Sequence, residues 1–296
     1  MVDIAQICRH GPAPTEEVGM DRLAAARATE LGEAEFMFQM FDTADHTSRV
    51  ALGMSAARIA GGEVTVMAND PTGGFWSRAI GLGIEQPVTA GVVDEVLEFA
   101  SAAGARSLVF QIAPHVDGDW ERLLADRGIT PSANWVKFAG PGDLVPTAST
   151  ELRIGIIGPD DGANFARVMC TGFGMPLDSA LPHWFGGLPG QGAAGFTTYG
   201  AWDGDDLVSA ATLFVRGRIA TLSGAATLPE HRGRGAQTAL MARRITDAVA
   251  HGCDWVTTET GAETAEHPNP SLHNMRRSGL TELYERRNWV WRRPAG

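Results

Sequence analysis

The chain has 296 residues, 44% of them hydrophobic and 20% charged, and a net charge of −11. The length suits two domains of about 150 residues each, and the apolar content excludes a disordered chain. The acidity excludes a grip on nucleic-acid backbones, where clustered cations carry the affinity, and favours small cationic partners such as amines.

Cys8, Cys170 and Cys253 are far apart and odd in number, and no C-x-x-C or H-E-x-x-H spacing occurs. Neither a disulfide framework nor a metal site is expected. Met1 to His10 lacks a cationic-then-apolar leader pattern, and no run of about 18 apolar residues appears. A cytoplasmic protein with no membrane partner is expected, as a monomer or homodimer.

In the first half, residues 92–103 carry a helical pattern ended by Gly104. An apolar strand over 106–113 follows, then a short helix over 120–127 closed by Gly128, then a strand holding Asn134-Trp135-Val136. Residues 141–150, with two prolines, a glycine and small polar residues, read as a linker.

Beyond it, Asp160-Asp161 is placed to cap a helix with Phe165, Val168 and Met169 on one face. Strands over 196–202 and 207–215 flank the turn Asp203-Gly204-Asp205-Asp206, and Arg216-Gly217 turns the chain into a third strand over 218–227. A helix over 238–250 ends at His251-Gly252. A strand over 254–260, a short helix over 271–278 closed by Gly279, and a last strand within 284–292 holding Asn288-Trp289-Val290 complete the chain. The order of elements, the glycines and the Asn-Trp-Val triplets recur at an offset of about 150 residues, which reads as a duplication. The expected class is α+β: two lobes, 1–140 and 151–296, each a mixed, mainly antiparallel sheet flanked by helices.

The segment carrying chemistry is His231-Arg232-Gly233-Arg234-Gly235-Ala236-Gln237, between the third strand and a helix. Glycines there let the backbone approach a ligand. The first helical N–H groups lack partners, and the helix start carries partial positive charge. A diphosphate fits such a corner, and Arg232 and Arg234 add charge-assisted donors. The G-x-G-x-x-G pattern fails at Thr238, and no Gly-Lys-Ser/Thr follows, so neither a dinucleotide fingerprint nor a P-loop is present.

The loop resembles the pyrophosphate loop of the GNAT superfamily of acyl-CoA-dependent N-acyltransferases, Arg/Gln-x-x-Gly-x-Gly/Ala after a Pro-Glu pair. Here it reads Arg232-x-x-Gly235-x-Gln237 after Pro229-Glu230, with Gln237 in place of the small residue. The resemblance covers 151–296 and makes 1–140 a degenerate GNAT-like lobe: Gly83-Ile84-Glu85-Gln86-Pro87-Val88-Thr89-Ala90-Gly91 has no arginine for a diphosphate.

The resemblance implies acetyl-CoA, or another acyl-CoA, as co-substrate and a small-molecule amine as acceptor. Ala225, Ala226 and Thr227 would run beside the pantetheine arm, and Arg232, Gly233, Arg234, Gly235, Ala236 and Gln237 would cradle the diphosphate. Asn269 and Asn274 would either touch pantetheine or cap the short helix. His183, Trp184 and Phe185 would wall the acceptor pocket or plug the core. Many relatives carry a carboxylate on the strand before the loop; residues 218–227 contain none. Glu259 is the remaining candidate base, and a salt-bridged strand residue is its other reading. The usual acid, a tyrosine in the short helix, aligns with Met275, which leaves Tyr284 or water. Those substitutions keep a non-catalytic acyl-CoA-binding or sensing protein open, and the acceptor can also be a protein or peptide amine.

Overall fold

A computed structural model describes residues 21–294; Cys8 and Met1 to His10 lie outside them. The first half runs α1 (Arg22–Asp42), α2 (His46–Leu52), β1 (Met54–Ile59), β2 (Gly62–Met67), β3 (Arg78–Ile80), α3 (Ala90–Ala102), β4 (Ser107–Gln111), α4 (Trp120–Ala125) and β5 (Thr130–Pro141). The second adds β6 (Arg153–Ile156), then α5 (Gly162–Phe173), α6 (Leu181–Gly187), β7 (Phe196–Asp203), β8 (Asp206–Arg216), β9 (Ile219–Thr221) and β10 (Ala225–Thr227). It closes with α7 (Ala236–Ala250), β11 (Trp255–Gly261), α8 (Pro270–Arg277) and β12 (Thr281–Arg292). Two helices, a hairpin, a short strand, a helix, a strand, a helix and a long strand therefore occur twice. The punctuating glycines Gly104, Gly128, Gly252 and Gly279 all have positive φ, between 69° and 86°.

All the strands join one sheet, in the order β1-β2-β3-β4-β12-β5-β11-β9-β8-β7-β6, with β10 on β8. The halves exchange their last strands. β12, from the C-terminal half, pairs with β4, and β5, from the N-terminal half, pairs with β11. The two exchanged strands pair with each other at the centre. Within each half one parallel pair, β3 with β4 and β9 with β11, interrupts an otherwise antiparallel order. That is the mixed α+β, two-lobed sheet expected from the element order, with the last strands sorted by sheet position and not by the 1–140 and 151–296 division.

Helix α1 crosses this seam, packing on β2 and β3 of one half and on β9 and β11 of the other. Asp21 caps it, accepting from the Leu23 and Ala24 amides. The approach is close: a Cβ on Gly32 would lie 2.6 Å from Thr221 Oγ1. Its buried face carries Glu30 and Glu33 among apolar residues, an arrangement that burial permits only if cations meet them.

Two local expectations change. The single strand over 218–227 is two strands, broken at Leu222-Ser223-Gly224, where Gly224 has φ 68° and accepts from the Thr212 amide at 2.9 Å. The parallel ladder with β11 ends where the Leu222 amide donates to Thr257 O at 2.8 Å. β10 pairs only with β8, so β10 and β11 part and leave a gap. In addition, Asp161 precedes α5 without a side-chain cap; its carboxylate accepts from Asn164 Nδ2 instead.

Candidate functional site

The gap between β10 and β11 opens into a cavity of about 670 Å³. Gly224, Ala225, Thr260 and Gly261 line it on either side of the gap, and Gln237, Met241, Arg244, Ser271 and Met275 line it from α7 and α8. Phe36, Met37 and Met40 of α1, with Phe75, Trp76, Arg78 and Trp135, bring in the N-terminal half. Both lobes thus enclose one space, mostly apolar, with Glu33 and Glu259 among its polar groups.

The loop before α7 has the conformation its glycines allow. Gly233 and Gly235 have φ of 79° and 78°, and Gly235 is the N-cap of α7 with no side chain capping the helix. Among the described residues, the amides of Gly233, Arg234 and Gly235 donate no backbone hydrogen bond. With the first turn of α7 they form an uncapped cluster of donors. Ala236 is buried beneath them. The linker packs behind: a Cβ on Gly235 would lie 2.7 Å from Ser149 O, and Thr150 Oγ1 donates to Arg234 O at 2.8 Å.

The two loop arginines differ. Arg234 is anchored on Asp203, with Nη2 to Oδ1 at 3.2 Å. Arg232 is exposed and reaches only the carbonyls of Thr227 and Gly172, each at 3.4 Å. Gln237 ties α7 to α8: its Nε2 donates to Ser271 Oγ at 2.8 Å, and its Oε1 accepts from Asn274 Nδ2 at 2.5 Å. Asn269 caps α8 through the Ser271 amide at 3.0 Å and donates to Thr260 Oγ1 at 2.8 Å. Ala225, Ala226 and Thr227 pair with β8 along one edge and have no strand along the other.

Of the acceptor-wall residues, only Phe185 lines the cavity. Trp184 is buried behind it, its indole donating to Met40 O at 3.1 Å and its ring edge-on to Phe41 and Trp76. His183 is exposed, 3.4 Å from Asp45.

Glu259 lies in a cluster that the fold assembles from five segments, α1, β3, β5, β11 and β12. Its Oε2 accepts from Lys137 Nζ of β5 and Arg286 Nη2 of β12, each at 2.9 Å, and Arg78 of β3 stands 3.9 Å away. Arg286 also binds Glu30 at 2.7 Å and Glu33 at 2.9 Å, and Lys137 binds Glu33. Three carboxylates thus meet three cations. Burial, and then the nearby Glu33 carboxylate, push Glu259 up to about 7. Burial also acts to raise Glu33, but Arg286 and Lys137 outweigh it and hold Glu33 well below the usual carboxylate range. One carboxylate is therefore held as an anion, while burial and that neighbouring charge favour the protonated form of the other.

Tyr284 is not brought to the cavity. A register shift between Glu282 and Tyr284 in the β12–β5 pair accompanies a turn of the side chain toward α1, where its hydroxyl donates to Glu30 at 2.7 Å. Burial and then Glu30 raise its pKa, and its ring stands edge-on to His115. Met275 lines the cavity at the position that resemblance gives to the acid. Cys170 and Cys253 are buried, and burial raises both thiols. Among the described residues no group of three or more His, Cys, Asp or Glu side chains suits a metal, and no helix is long and apolar enough to cross a membrane.

The sequence reading missed Glu33, Arg78, Phe75, Trp76 and Arg244. The first four lie in the half without a loop motif. Only the recurrence of Asn-Trp-Val pointed at Trp135, which lines the same space.

The profile of the acetyltransferase (GNAT) family matches residues 175–275. A GCN5-related N-acetyltransferase from Kribbella flavida has a similar structure, at 16% identity over 92% of this chain and 96% of that one, with TM-score 0.57. A tandem GNAT protein from the clavulanic acid biosynthesis pathway gives 15% identity, 90% and 96% coverage and TM-score 0.56. A GCN5-related N-acetyltransferase from Sphaerobacter thermophilus gives 14%, 92% and 93%, and 0.56. A search of curated proteins finds no match to this sequence. At these identities the structural likeness speaks for the fold, and the profile match speaks for the domain. Residues 175–275 belong to the GNAT acetyltransferase family, within a chain whose two lobes have the tandem GNAT fold.

Proposed function

We propose that this chain is an acyl-CoA-dependent N-acyltransferase that moves an acyl group, in the simplest case acetyl, to the amine of a small molecule by direct attack. The observation that carries this reading is the continuity of the cavity, from Gln237 at the uncapped start of α7, through the gap between β10 and β11, to Glu259. The diphosphate of CoA would rest on the amides from Gly233 onward, with Arg232 beside it. The pantetheine arm would lie in the gap, along the open edge of β10.

Glu259 then accepts the proton of the attacking ammonium. For an amine of lysine-like basicity that proton costs about 4–5 kcal/mol to remove at pH 7, and holding amine and thioester together supplies roughly 7–11 kcal/mol. The apolar walls, Phe36, Phe75, Trp76 and Trp135, suit an acceptor with a hydrophobic body.

One CoA binds per chain, in the C-terminal lobe. The start of α3, which corresponds to α7, is already capped by Thr89, which accepts from the Val92 amide, and Glu85 beside it is paired with Arg27. Calorimetry with acetyl-CoA and a free-thiol assay over a panel of amines and peptides test the reading. One site per chain and thiol release with a small amine are expected. Two equal CoA sites would overturn the stoichiometry, tight binding without thiol release would make the chain a binding protein, and release with peptides alone would change the acceptor class.

A further inference from the structure

Arg244, in the third turn of α7, is 1% exposed and borders the cavity. Its Nε donates to Leu240 O at 3.2 Å and its Nη1 to Thr212 O at 2.9 Å. Both partners are neutral carbonyls. Among the described residues no carboxylate lies within ion-pair distance. Asp247, one turn on, is occupied by the Tyr199 hydroxyl at 2.8 Å and Arg243 Nε at 3.0 Å. Glu33 and Glu259, the acids of the cavity, are committed to Lys137, Arg286 and Arg78.

The other buried cations of the core, Lys137, Arg286 and Arg78, each meet carboxylates, and Arg244 alone among these four does not. Burial weakens its hold on its proton, to about 10, yet leaves it cationic at neutral pH. A buried charge without a counter-charge is unfavourable unless something arrives to neutralise it.

Position says what arrives. Thr212, whose carbonyl fixes the guanidinium, donates its amide to Gly224 at the break between β9 and β10. That break opens the gap, and Leu222, Gly224 and Met275 border the cavity with Arg244. Acyl transfer generates an anion at such a point, on the departing sulfur. On the reading of the site given above, the amine nitrogen attacks the thioester carbon, the C–N bond forms, and the C–S bond breaks with its electron pair going to sulfur. The ammonium proton passes to Glu259 and then to water. Met275 has no proton for the sulfur, which leaves as a thiolate.

We propose that Arg244 is the cation that receives this thiolate, so that acyl transfer here uses a fixed guanidinium where a proton donor would otherwise stand. The charge is in place before the bond breaks and needs no rearrangement.

The test follows the thiol of CoA itself, bound to the full-length chain, by the ultraviolet absorbance of its thiolate as pH is raised. The bound thiol is expected to ionise at a lower pH than free CoA. Arg244→Met raises the midpoint by about 1–3 pH units and weakens CoA binding only above the wild-type midpoint, where the thiolate is the bound form, and Arg244→Lys keeps the midpoint low. A bound thiol that ionises like free CoA in the wild-type chain overturns the assignment without any variant, as do equal midpoints in wild type and Arg244→Met. Loss of succinyl-CoA but not acetyl-CoA binding in Arg244→Met, with an unmoved midpoint, would overturn it in favour of a carboxylate on the acyl group. A wild-type chain that binds no CoA defeats the acyltransferase reading and this proposal together, whereas binding with an unshifted midpoint defeats only the role of Arg244.

Discussion

Lys137 and Glu259 stand opposite each other across the antiparallel pair of β5 and β11, with Nζ 2.9 Å from Oε2. Lys137 is the only lysine of the chain, and the exchanged strand delivers it from the N-terminal half to the carboxylate of the C-terminal half. Burial does most to raise the candidate base, and the first lobe, which has no diphosphate loop, adds two opposed influences: Glu33 of α1 raises it and Lys137 of β5 lowers it.

The base assignment predicts a pH profile. With Glu259 raised to about 7, kcat/KM climbs with pH through that value as the carboxylate loses its proton. Glu259→Gln lowers kcat by roughly 10²–10⁴-fold and removes the climb. Stability carries the opposite sign. Between the ordinary value of 4.5 and about 7 the folded chain keeps a proton that the unfolded chain has released, so this group reduces stability as pH rises. Denaturant titrations across that window should show a flatter slope in Glu259→Gln.

Removing Lys137 leaves three buried carboxylates with two guanidinium groups. Lys137→Met is expected to destabilise the fold by about 3–5 kcal/mol, since one partner of a buried ion pair is deleted and the other stays. In the chain that still folds, the acid limb of kcat/KM moves above its wild-type position. Chemical denaturation and a pH–rate profile measure the two effects separately.

In the loop, backbone outweighs side chains. Gly235→Ala puts a Cβ 2.7 Å from Ser149 O at a residue with φ 78°, where a side chain costs about 1–2 kcal/mol. It should weaken CoA binding more than Arg234→Ala, because Arg234 is already engaged with Asp203. Arg232→Ala should fall between them, at roughly tenfold, the value of one charge-assisted hydrogen bond. Calorimetry at low and moderate salt ranks the three.

A protease cut within 147–149, where the linker is exposed, should leave the two fragments together on gel filtration. The pairs β4–β12, β12–β5 and β5–β11 hold them. Fragments that separate without denaturant would contradict the exchanged topology.

The loop, the α7 helix and the repeated order of elements were legible because each is local: glycines, caps and apolar periodicity act within a few residues. Residues 218–227 were read as one strand although Ser223-Gly224 carried a local signal for a break; how far β10 and β11 then part depends on their pairing with β8 and β5. The charged cluster was illegible for a related reason. Glu30, Glu33, Lys137 and Arg286 are scattered over more than 250 residues, and nothing in their neighbourhoods distinguishes them from solvated charges. Glu259 was singled out by elimination, and its partners were not. Tyr284 was chosen because tyrosines are scarce, and the bulge in β12 turned it toward Glu30.

The exchange of last strands also bears on biosynthesis. Phe110 finds its neighbour Trp289 only across β4 and β12, so a nascent chain that has emerged as far as the linker still shows an unpaired, apolar edge on β4. Completion of the first lobe must wait for β12 to leave the ribosome. Loss of β12 would thus injure the N-terminal lobe, whose β4 it completes, as well as its own half.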